Sequence, residues 1–199
     1  MFGGLLTVIQ ELKVKNIIIG KQFENSNNLQ RFLEIIKNKN IKIMVAEAGQ
    51  RINIEKEIYF DILWPDSLNE IKENSINNNS LVCKLNYKNF SILFTGDIEE
   101  KAEQAIILKY SNTNILESTI LKVAHHGSKS SSINKFLDLV KPKITLIGVS
   151  EKNKYGHPSK IILERLKRLN SNTYKTSENG EITIKVKNNK NYKIRTECD

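Results

Sequence analysis

Short apolar runs separated by helical patterns fill the second half of the chain, and this alternation restricts the fold more than any other feature. Two of the runs, residues 120–124 and 143–149, are rich in branched side chains, as buried strands are. A helical pattern follows each run, ending at Val140 and at Leu169. Because strand–helix–strand units build sheets with parallel strands, the sequence predicts a layered α/β domain with mixed sheets.

The rest of the chain predicts further strands and helices. A helix is expected from Asp97 to Tyr110, another begins at a capping Ser131 or Ser132, and a third begins at Pro158. Residues 68–79 are polar and are predicted to form a loop. The remaining predictions are helices at 2–12 and 27–38, strands at 16–20 and 41–46, strand pairs at 49–54 with 57–64 and at 81–86 with 90–94, and a terminal meander at 172–176, 181–186 and 192–195.

The charge of the chain is strongly basic. The 199 residues carry a formal net charge of +9, and the isoelectric point is about 9.4. A basic balance favours anionic partners such as nucleic acid, phosphorylated substrates or an anionic surface. The lysines are scattered along the chain, however, so a general codon bias towards Lys, Asn and Ile explains the same charge. Both explanations stay open at this point.

Several classes of protein are excluded by composition. No apolar run approaches the ~18 residues of a membrane-spanning helix, and no signal peptide is visible at the start. Two cysteines, Cys83 and Cys198, are too few for a disulfide framework or a four-thiolate zinc site. The chain as written is therefore expected to be one soluble, cytoplasmic domain.

Four side chains that bind metals follow predicted strands directly. They are Asp97, His125, His126 and His157. Sites gather at the carboxyl ends of strands in open α/β sheets, and imidazole with carboxylate suits zinc, manganese or iron. Taken singly, an aspartate that opens a helix is usually a cap and a loop histidine is usually solvated. Together, the four residues predict a metal or phosphate site at the strand ends.

Three motifs in order carry a family resemblance. They are residues 94–97 (FTGD), 121–128 (LKVAHHGS) and 153–158 (NKYGHP), and residues 77–82 and 141–143 also fit. The chain resembles hydrolases of the metallo-β-lactamase fold, and most closely the C-terminal hydrolase domain of ComEC-type DNA-internalisation competence proteins. The resemblance runs from Phe2 to about Val186.

The resemblance implies a four-layer αββα sandwich in which two metal ions, zinc or manganese, activate a hydroxide that attacks a phosphodiester or another ester. Asp97 matches the carboxylate that bridges the ions. His126 and His157 are expected to face metal, and His125 to face substrate, with Asp97, His125 and His157 as the catalytic residues. The residues expected to contact substrate besides His125 are Ser128, Lys129, Asn79, Ser80 and Tyr155. For Lys129, a solvated loop charge is the alternative.

One departure from the family pattern lies at the start of the chain. The family's His-x-His/Asp-x-Asp-His motif precedes a Gly-Gly pair and a helix; here Gly3-Gly4 and the helix are present, and Met1 stands where the last histidine of the motif would be. Residues 1–199 are therefore expected to be a single, N-terminally incomplete domain that lacks the first strands and binds one ion weakly or none. Asn78 and Asn79 stand near another position where many relatives have a ligand histidine.

These expectations lead to a functional prediction with alternatives. The parent protein is predicted to be a metal-dependent hydrolase acting on DNA during uptake, with this chain impaired by itself. The alternatives are a non-catalytic DNA- or phosphate-binding module, a stand-alone hydrolase of another ester, and a remnant without function. Contact with the plasma membrane is expected only through a ComEC-type parent.

Overall fold

The computed structural model describes residues 3–20, 26–188 and 191–198, so the predictions that involve Met1 and Phe2 lie outside the described residues. The α-helices are α1 Gly3–Glu11, α2 Asn27–Asn38, α3 Ser75–Asn78, α4 Glu100–Tyr110, α5 Asn134–Val140, α6 Lys160–Arg168 and α7 Thr176–Asn179. The strands are β1 Asn16–Ile19, β2 Lys42–Val45, β3 Arg51–Glu55, β4 Ile58–Trp64, β5 Val82–Tyr87, β6 Phe90–Phe94, β7 Ile120–Lys122, β8 Ile144–Ile147, β9 Asn172–Lys175, β10 Ile182–Asn188 and β11 Asn191–Thr196.

A seven-stranded sheet with the order β3-β4-β5-β6-β7-β8-β9 forms the centre of the fold. Strands β3 to β6 pair antiparallel, whereas β6 to β9 pair parallel, with Leu93 opposite Leu121 and Leu121 opposite Thr145. Each parallel pair needs a crossover, and α4, α5 and α6 supply the three crossovers in turn. The predicted α/β class with mixed pairing is therefore confirmed.

The main hydrophobic core lies between this sheet and helices α4, α5 and α6. Leu93, Leu121 and Ile147 come from the strands, and Ile106 and Leu137 come from the helices, all at most 1% exposed. Burying each such side chain stabilises the fold by about 1.5–3 kcal/mol. This packing fixes the helices behind the sheet and leaves the carboxyl ends of β6, β7 and β8 at one edge.

The opposite face of the sheet is covered by the antiparallel hairpin β10–β11. Ile184 and Tyr192 of the hairpin pack with Phe90, Ile120 and Ile144, at the starts of the parallel strands. Helices α1 and α2 pack on the parallel pair β1–β2 through a second core of Leu6, Ile9, Phe32, Ile36 and Ile41. The helix and strand layers of an αββα sandwich are thus present.

Helix starts differ from the sequence predictions in three places. Helix α4 begins at Glu100, three residues after Asp97, so Asp97 does not open it. The residue that precedes α5 is Ile133, and neither Ser131 nor Ser132 caps the helix with its side chain. Helix α6 begins at Lys160, so that Pro158 stands before the helix instead of in its first turn.

The start of α5 is capped from a distant element instead. The carboxylate of Glu103, on α4, accepts the N–H groups of Ser132 at 2.5 Å and of Ile133 at 2.8 Å. The Ile133 N–H is one of the backbone donors that a helix start leaves without internal partners, and Ser132 directly precedes it. A cap that lies 30 residues earlier in the chain has no local sequence signal.

Two topological predictions are also wrong. The segment predicted as a loop, 68–79, contains the single-turn helix α3. The last three strands do not form a meander, because β9 pairs parallel with β8 while β10 and β11 pair only with each other among the described strands. The alternating apolar residues of β10 and β11 cover the sheet face instead of extending the sheet.

Candidate active site

The predicted site residues follow the carboxyl ends of three neighbouring parallel strands. Asp97 follows β6, His125 and His126 follow β7, and His157 lies in the loop after β8. Parallel strands place these ends at the same edge of the sheet, which is where ligands bind in open α/β folds. The structure therefore brings the four residues to one edge, as the sequence predicted.

Asp97 follows a tight turn at Gly96, a position that only glycine fits. Gly96 has φ +53°, and a Cβ there would lie 2.7 Å from the Cβ of Ser80. The hydroxyl oxygen of Ser80 accepts the Asp97 N–H at 3.3 Å. Ser80, predicted to contact substrate, thus supports the backbone of Asp97.

Lys122, at the end of β7, lies beneath the same turn. Its ammonium donates to the Gly96 carbonyl at 3.4 Å and to the Val123 carbonyl at 3.3 Å. Burial lowers the pKa of Lys122, and the negative charge of Asp97 opposes that shift. A lysine side chain therefore lies behind Asp97, at a position to which the motif assigns no role.

The two adjacent histidines occupy a strained turn. His125 has φ 48° and His126 has φ 55°, both in the left-handed region, which costs about 1–2 kcal/mol for a residue with a side chain. The His125 N–H donates to the Gly96 carbonyl at 3.1 Å, which ties this turn to the Asp97 turn. Strain of this kind persists only where surrounding contacts hold it, and it concentrates at functional sites.

His126 is oriented by a backbone carbonyl. Its Nδ1 lies 2.6 Å from the oxygen of Gly148, which accepts only, so Nδ1 is the donor and the neutral tautomer has its lone pair on Nε2. Nε2 lies 3.8 Å from Oδ1 of Asp97. Two ligands of one tetrahedral ion, each at about 2.0–2.2 Å, stand about 3.3–3.6 Å apart, so this pair is only slightly wider than such a site. A carbonyl on the far ring nitrogen is the usual support of a ligand histidine.

His125 faces a carboxylate that sequence reasoning did not assign to the site. Its Nδ1 lies 3.3 Å from Oε1 of Glu99, but the angle between the two groups does not allow a hydrogen bond, so this buried nitrogen has none. Glu99 is held by Asn74 Nδ2 at 2.8 Å and by Ser130 Oγ at 3.2 Å.

His157 is held by a side-chain clamp and a stacked ring. Asn153 accepts the His157 N–H and donates to the His157 carbonyl, both at 2.8 Å. The ring of Tyr155 stacks on His157 with centroids 5.9 Å apart and planes 19° apart. Burial and, after it, the charges of His125 and His126 lower the pKa of His157, so its imidazole is neutral at pH 7.

A cavity of about 360 Å³ lies between the loops after β7 and β8, where His126, Gly148, Val149, Ser150, Asn153, Tyr155 and His157 line it. Tyr155 is 82% exposed at its mouth. A larger cavity, about 520 Å³, lies between the sheet and β10 and is mostly apolar, with no histidine in its wall. The chemistry of the smaller cavity therefore makes it the candidate site.

The remaining residues predicted to contact substrate are Ser128, Lys129 and Asn79. Ser128 is buried, and its hydroxyl pairs with that of Ser130 at 2.9 Å, whereas Lys129 is exposed. Asn79 is 2% exposed, and its amide bonds Ile71 and Ser75 within its own loop. Contacts of Ser128, Lys129 and Asn79 with a substrate stay predictions.

The fit of these residues to a metal ion is partial. Asp97 and His126 fit two positions around one ion, and Nδ1 of His157 is a buried nitrogen without a hydrogen-bond partner. Residues 3–20, 26–188 and 191–198 contain no group of three or more His, Cys, Asp or Glu side chains arranged to hold an ion. Metal binding by Asp97, His126 and His157 therefore stays a prediction, and the Asp97–His126 pair comes nearest to fitting an ion.

Three competence and recombination proteins are similar to this chain. Over 94% of its length it is 29% identical to ComE operon protein 3 of Bacillus subtilis, of which it covers 23%. It is 28% identical over 62% of its length to Competence protein ComA of Neisseria gonorrhoeae (17% of that protein), and 30% identical over 64% to Recombination protein 2 of Haemophilus influenzae (15%). The resemblance to ComEC-type competence proteins is confirmed.

The chain spans less than a quarter of the length of these curated relatives. A solved structure from Parabacteroides distasonis, described as a candidate metal-dependent hydrolase, aligns with a TM-score of 0.47 and 10% identity over 85% of this chain and 79% of that one. No protein-family model matches the chain. Among the described residues, no helix combines the length and the apolar character needed to cross a bilayer.

Proposed function

We propose that this site hydrolyses phosphodiester bonds of DNA with a divalent metal ion, zinc or manganese, as part of DNA uptake. The observation that carries the proposal is the 3.8 Å approach of His126 Nε2 to Asp97 Oδ1, with the opposite ring nitrogen held on Gly148. The similarity to competence proteins supports nucleic acid as the substrate.

In this proposal, Asp97 and His126 hold the ion from one side. When bound, a divalent ion supplies a Lewis acid for a phosphoryl oxygen and lowers the pKa of a water molecule. Because Nδ1 of His125 faces Glu99, Nε2 is the nitrogen directed to the leaving oxygen, and it would donate a proton there when the ring is an imidazolium. Tyr155 and His157 form the stacked wall of the cavity against which the substrate is positioned.

The small number of paired ligands limits how tightly the ion binds. Catalytic zinc sites commonly use three protein ligands, whereas the described residues place two together. We therefore propose a single weakly held ion and slow turnover for this chain, and efficient hydrolysis for a ComEC-type parent, which alone would make contact with the plasma membrane.

The test is hydrolysis of bis-p-nitrophenyl phosphate and of single-stranded DNA with added manganese or zinc. Slow turnover that EDTA removes is expected, together with its loss in Asp97→Ala. Asp138→Ala is the matched control, because Asp138 is an exposed aspartate paired with Arg168 on the helix layer. Hydrolysis that persists in EDTA or in Asp97→Ala would contradict the metal site, and fast turnover would contradict the proposed impairment.

A second candidate is a non-catalytic module that binds DNA or phosphate. The net charge of +9 and the incomplete ligand set within the described residues favour it. It predicts salt-dependent DNA binding that survives EDTA and the double variant His125→Ala/His126→Ala, without metal-dependent turnover. Hydrolysis of simple esters but not of DNA would favour a third candidate, a stand-alone hydrolase of another substrate.

A further inference from the structure

The outer face of the hairpin β10–β11 presents a row of cations. Side chains alternate along both strands, and the inner face, which includes Ile184 and Tyr192, packs on the seven-stranded sheet. The outward positions are exposed. The cations at these positions, called the cationic ribbon below, are Lys185, Lys187, Lys193 and Arg195.

The strand register places two of these cations directly opposite each other. Lys185 pairs with Lys193, and Arg195 stands next along the strand, opposite Thr183. Like charges directly opposite each other destabilise an antiparallel pair. If these lysines served only to prevent pairing of an edge strand with another chain, no second cation would be needed directly opposite. The arrangement therefore points to a role outside the fold itself.

The carboxylates that flank the hairpin, Glu181 and Glu197, accept hydrogen bonds from other groups. Glu197 Oε2 accepts the Glu181 N–H at 3.1 Å, and Glu181 Oε1 accepts the Thr183 hydroxyl at 2.9 Å. Within the part of the chain that the structure describes, no ion pair involves any member of the cationic ribbon. Its charge is therefore available to a partner.

We propose that the cationic ribbon binds the phosphodiester backbone of nucleic acid without reading its sequence. A polyanion matches a row of lysines and an arginine, and phosphate contacts position a strand but carry no sequence information. Surfaces that bind membranes combine cations with apolar side chains that insert. The apolar residues of this hairpin, which include Val186 and Ile194, are used in packing on the sheet.

The segment that precedes the hairpin contacts the loop that lines the histidine cavity. Helix α7 leads into β10, and Thr176 at its start donates a hydroxyl hydrogen bond to the Val149 carbonyl at 2.8 Å. Val149 lines the same cavity as His126 and His157. Helix α7 thus connects the cavity loop to the hairpin, whose inner face packs at the starts of the parallel strands. A role of the cationic ribbon in hydrolysis rests on the proposed function, whereas nucleic-acid binding by the ribbon does not.

The experiment measures the affinity of the full chain for a fluorescein-labelled oligothymidine by anisotropy, in EDTA and over a series of salt concentrations. The ribbon variant replaces Lys185, Lys187, Lys193 and Arg195 with Gln. The matched control variant removes the same charge from four exposed lysines elsewhere: Lys37, Lys42, Lys135 and Lys167. Thermal unfolding of both variants verifies that they are folded.

We expect the ribbon variant to lose affinity by about tenfold or more at moderate salt, and the slope of log K against log salt to become shallower by about 3, because each phosphate contact contributes about −0.7. The control variant is expected to retain most of the wild-type slope. Equal losses in both variants, or none in either, would overturn the proposal.

Vesicles containing phosphatidylserine serve as the competing probe. If the ribbon variant loses vesicle binding but keeps its affinity for the oligonucleotide, the surface binds a membrane and the proposal is overturned. Because EDTA removes metal-dependent hydrolysis, a failure of ribbon binding leaves the proposed catalytic function standing. A failure of hydrolysis likewise leaves ribbon binding intact.

Discussion

Gly127 packs directly against Pro158, and this contact joins the two histidine motifs. A Cβ on Gly127, which has φ +80°, would lie 2.7 Å from the Cβ of Pro158. The Ser159 N–H donates to the Gly127 carbonyl at 2.9 Å. Because His126 precedes Gly127 and His157 precedes Pro158, the contact sets the separation between these histidines.

Gly127→Ala is expected to lower the free energy of unfolding by about 2–3 kcal/mol. A side chain at a left-handed position costs about 1–2 kcal/mol, and overlap with Pro158 adds to it. Urea denaturation measures the change. Gly4→Ala is the control, because nothing lies within 4 Å of its added Cβ and the residue is helical, so stability is expected to stay equal or rise. Wild-type stability of Gly127→Ala would contradict the packing described.

The strained backbone of His125 predicts an unusual order of stability. His125→Gly is expected to be more stable than His125→Ala by about 1 kcal/mol, because Gly adopts φ 48° without strain. At Gln104, in the interior of α4, the order is expected to reverse, since Ala is favoured over Gly in helices by about 1 kcal/mol. Chemical denaturation of the four variants measures their free energies of unfolding. If the Ala variant is more stable than the Gly variant at both positions, strain at His125 is excluded.

The sheet and the place of the site were predictable because they depend on local patterns. Apolar runs mark β6, β7 and β8, and Asp97, His125 and His157 follow them in sequence, so the topology alone brings the residues together. Glu99 was not identified because its partners, Asn74 and Ser130, are 25 and 31 residues away.

The local signals that failed were those overridden by contacts between distant segments. Ser131 and Ser132 match the composition of a helix cap, yet the carboxylate of Glu103 caps α5. Alternating apolar residues predict the strands β10 and β11 correctly, but the pattern does not say whether a strand joins a sheet or covers one. Here Ile184 and Tyr192 cover the face.

Stability is expected to depend on pH through Glu103. Burial raises the pKa of this carboxyl to about 7, against its backbone donors at Ser132 and Ile133 and the charge of Arg165, which favour ionisation. The folded state therefore holds the proton more tightly than the unfolded state. This contribution to stability is complete below the unfolded pKa of about 4.5 and is lost as the pH rises through 7.

Glu103→Gln removes this titration and isolates its effect. The variant also leaves one of the two backbone N–H groups without an acceptor, which costs about 1–3 kcal/mol. Relative to Glu103→Gln, the wild type is expected to lose stability between pH 5 and pH 8, measured by urea denaturation at each pH. A stability difference that is constant over this range would contradict the raised pKa.

Metal binding by the Asp97–His126 pair predicts a thermal shift. Added zinc or manganese is expected to raise the melting temperature only at high concentration, because an ion at about ten times its Kd stabilises a fold by about 1.4 kcal/mol. His126→Gln and Asp97→Asn are expected to remove the shift, whereas Asp138→Asn keeps it. A shift that survives in His126→Gln would place the ion elsewhere.

Lys193→Glu separates the stability of the hairpin from its proposed binding role. The substitution replaces a like-charged pair with an opposite pair across from Lys185, and is expected to raise the free energy of unfolding by about 0.5 kcal/mol. The gain should shrink at high salt, because the pair is exposed. Lys187→Glu changes the charge equally without a cation directly opposite, so a smaller gain is expected.

Both variants, Lys193→Glu and Lys187→Glu, should bind the oligonucleotide more weakly than the wild type. An equal stability in both variants would contradict the register of β10 and β11, and unchanged oligonucleotide affinity would contradict the cationic ribbon.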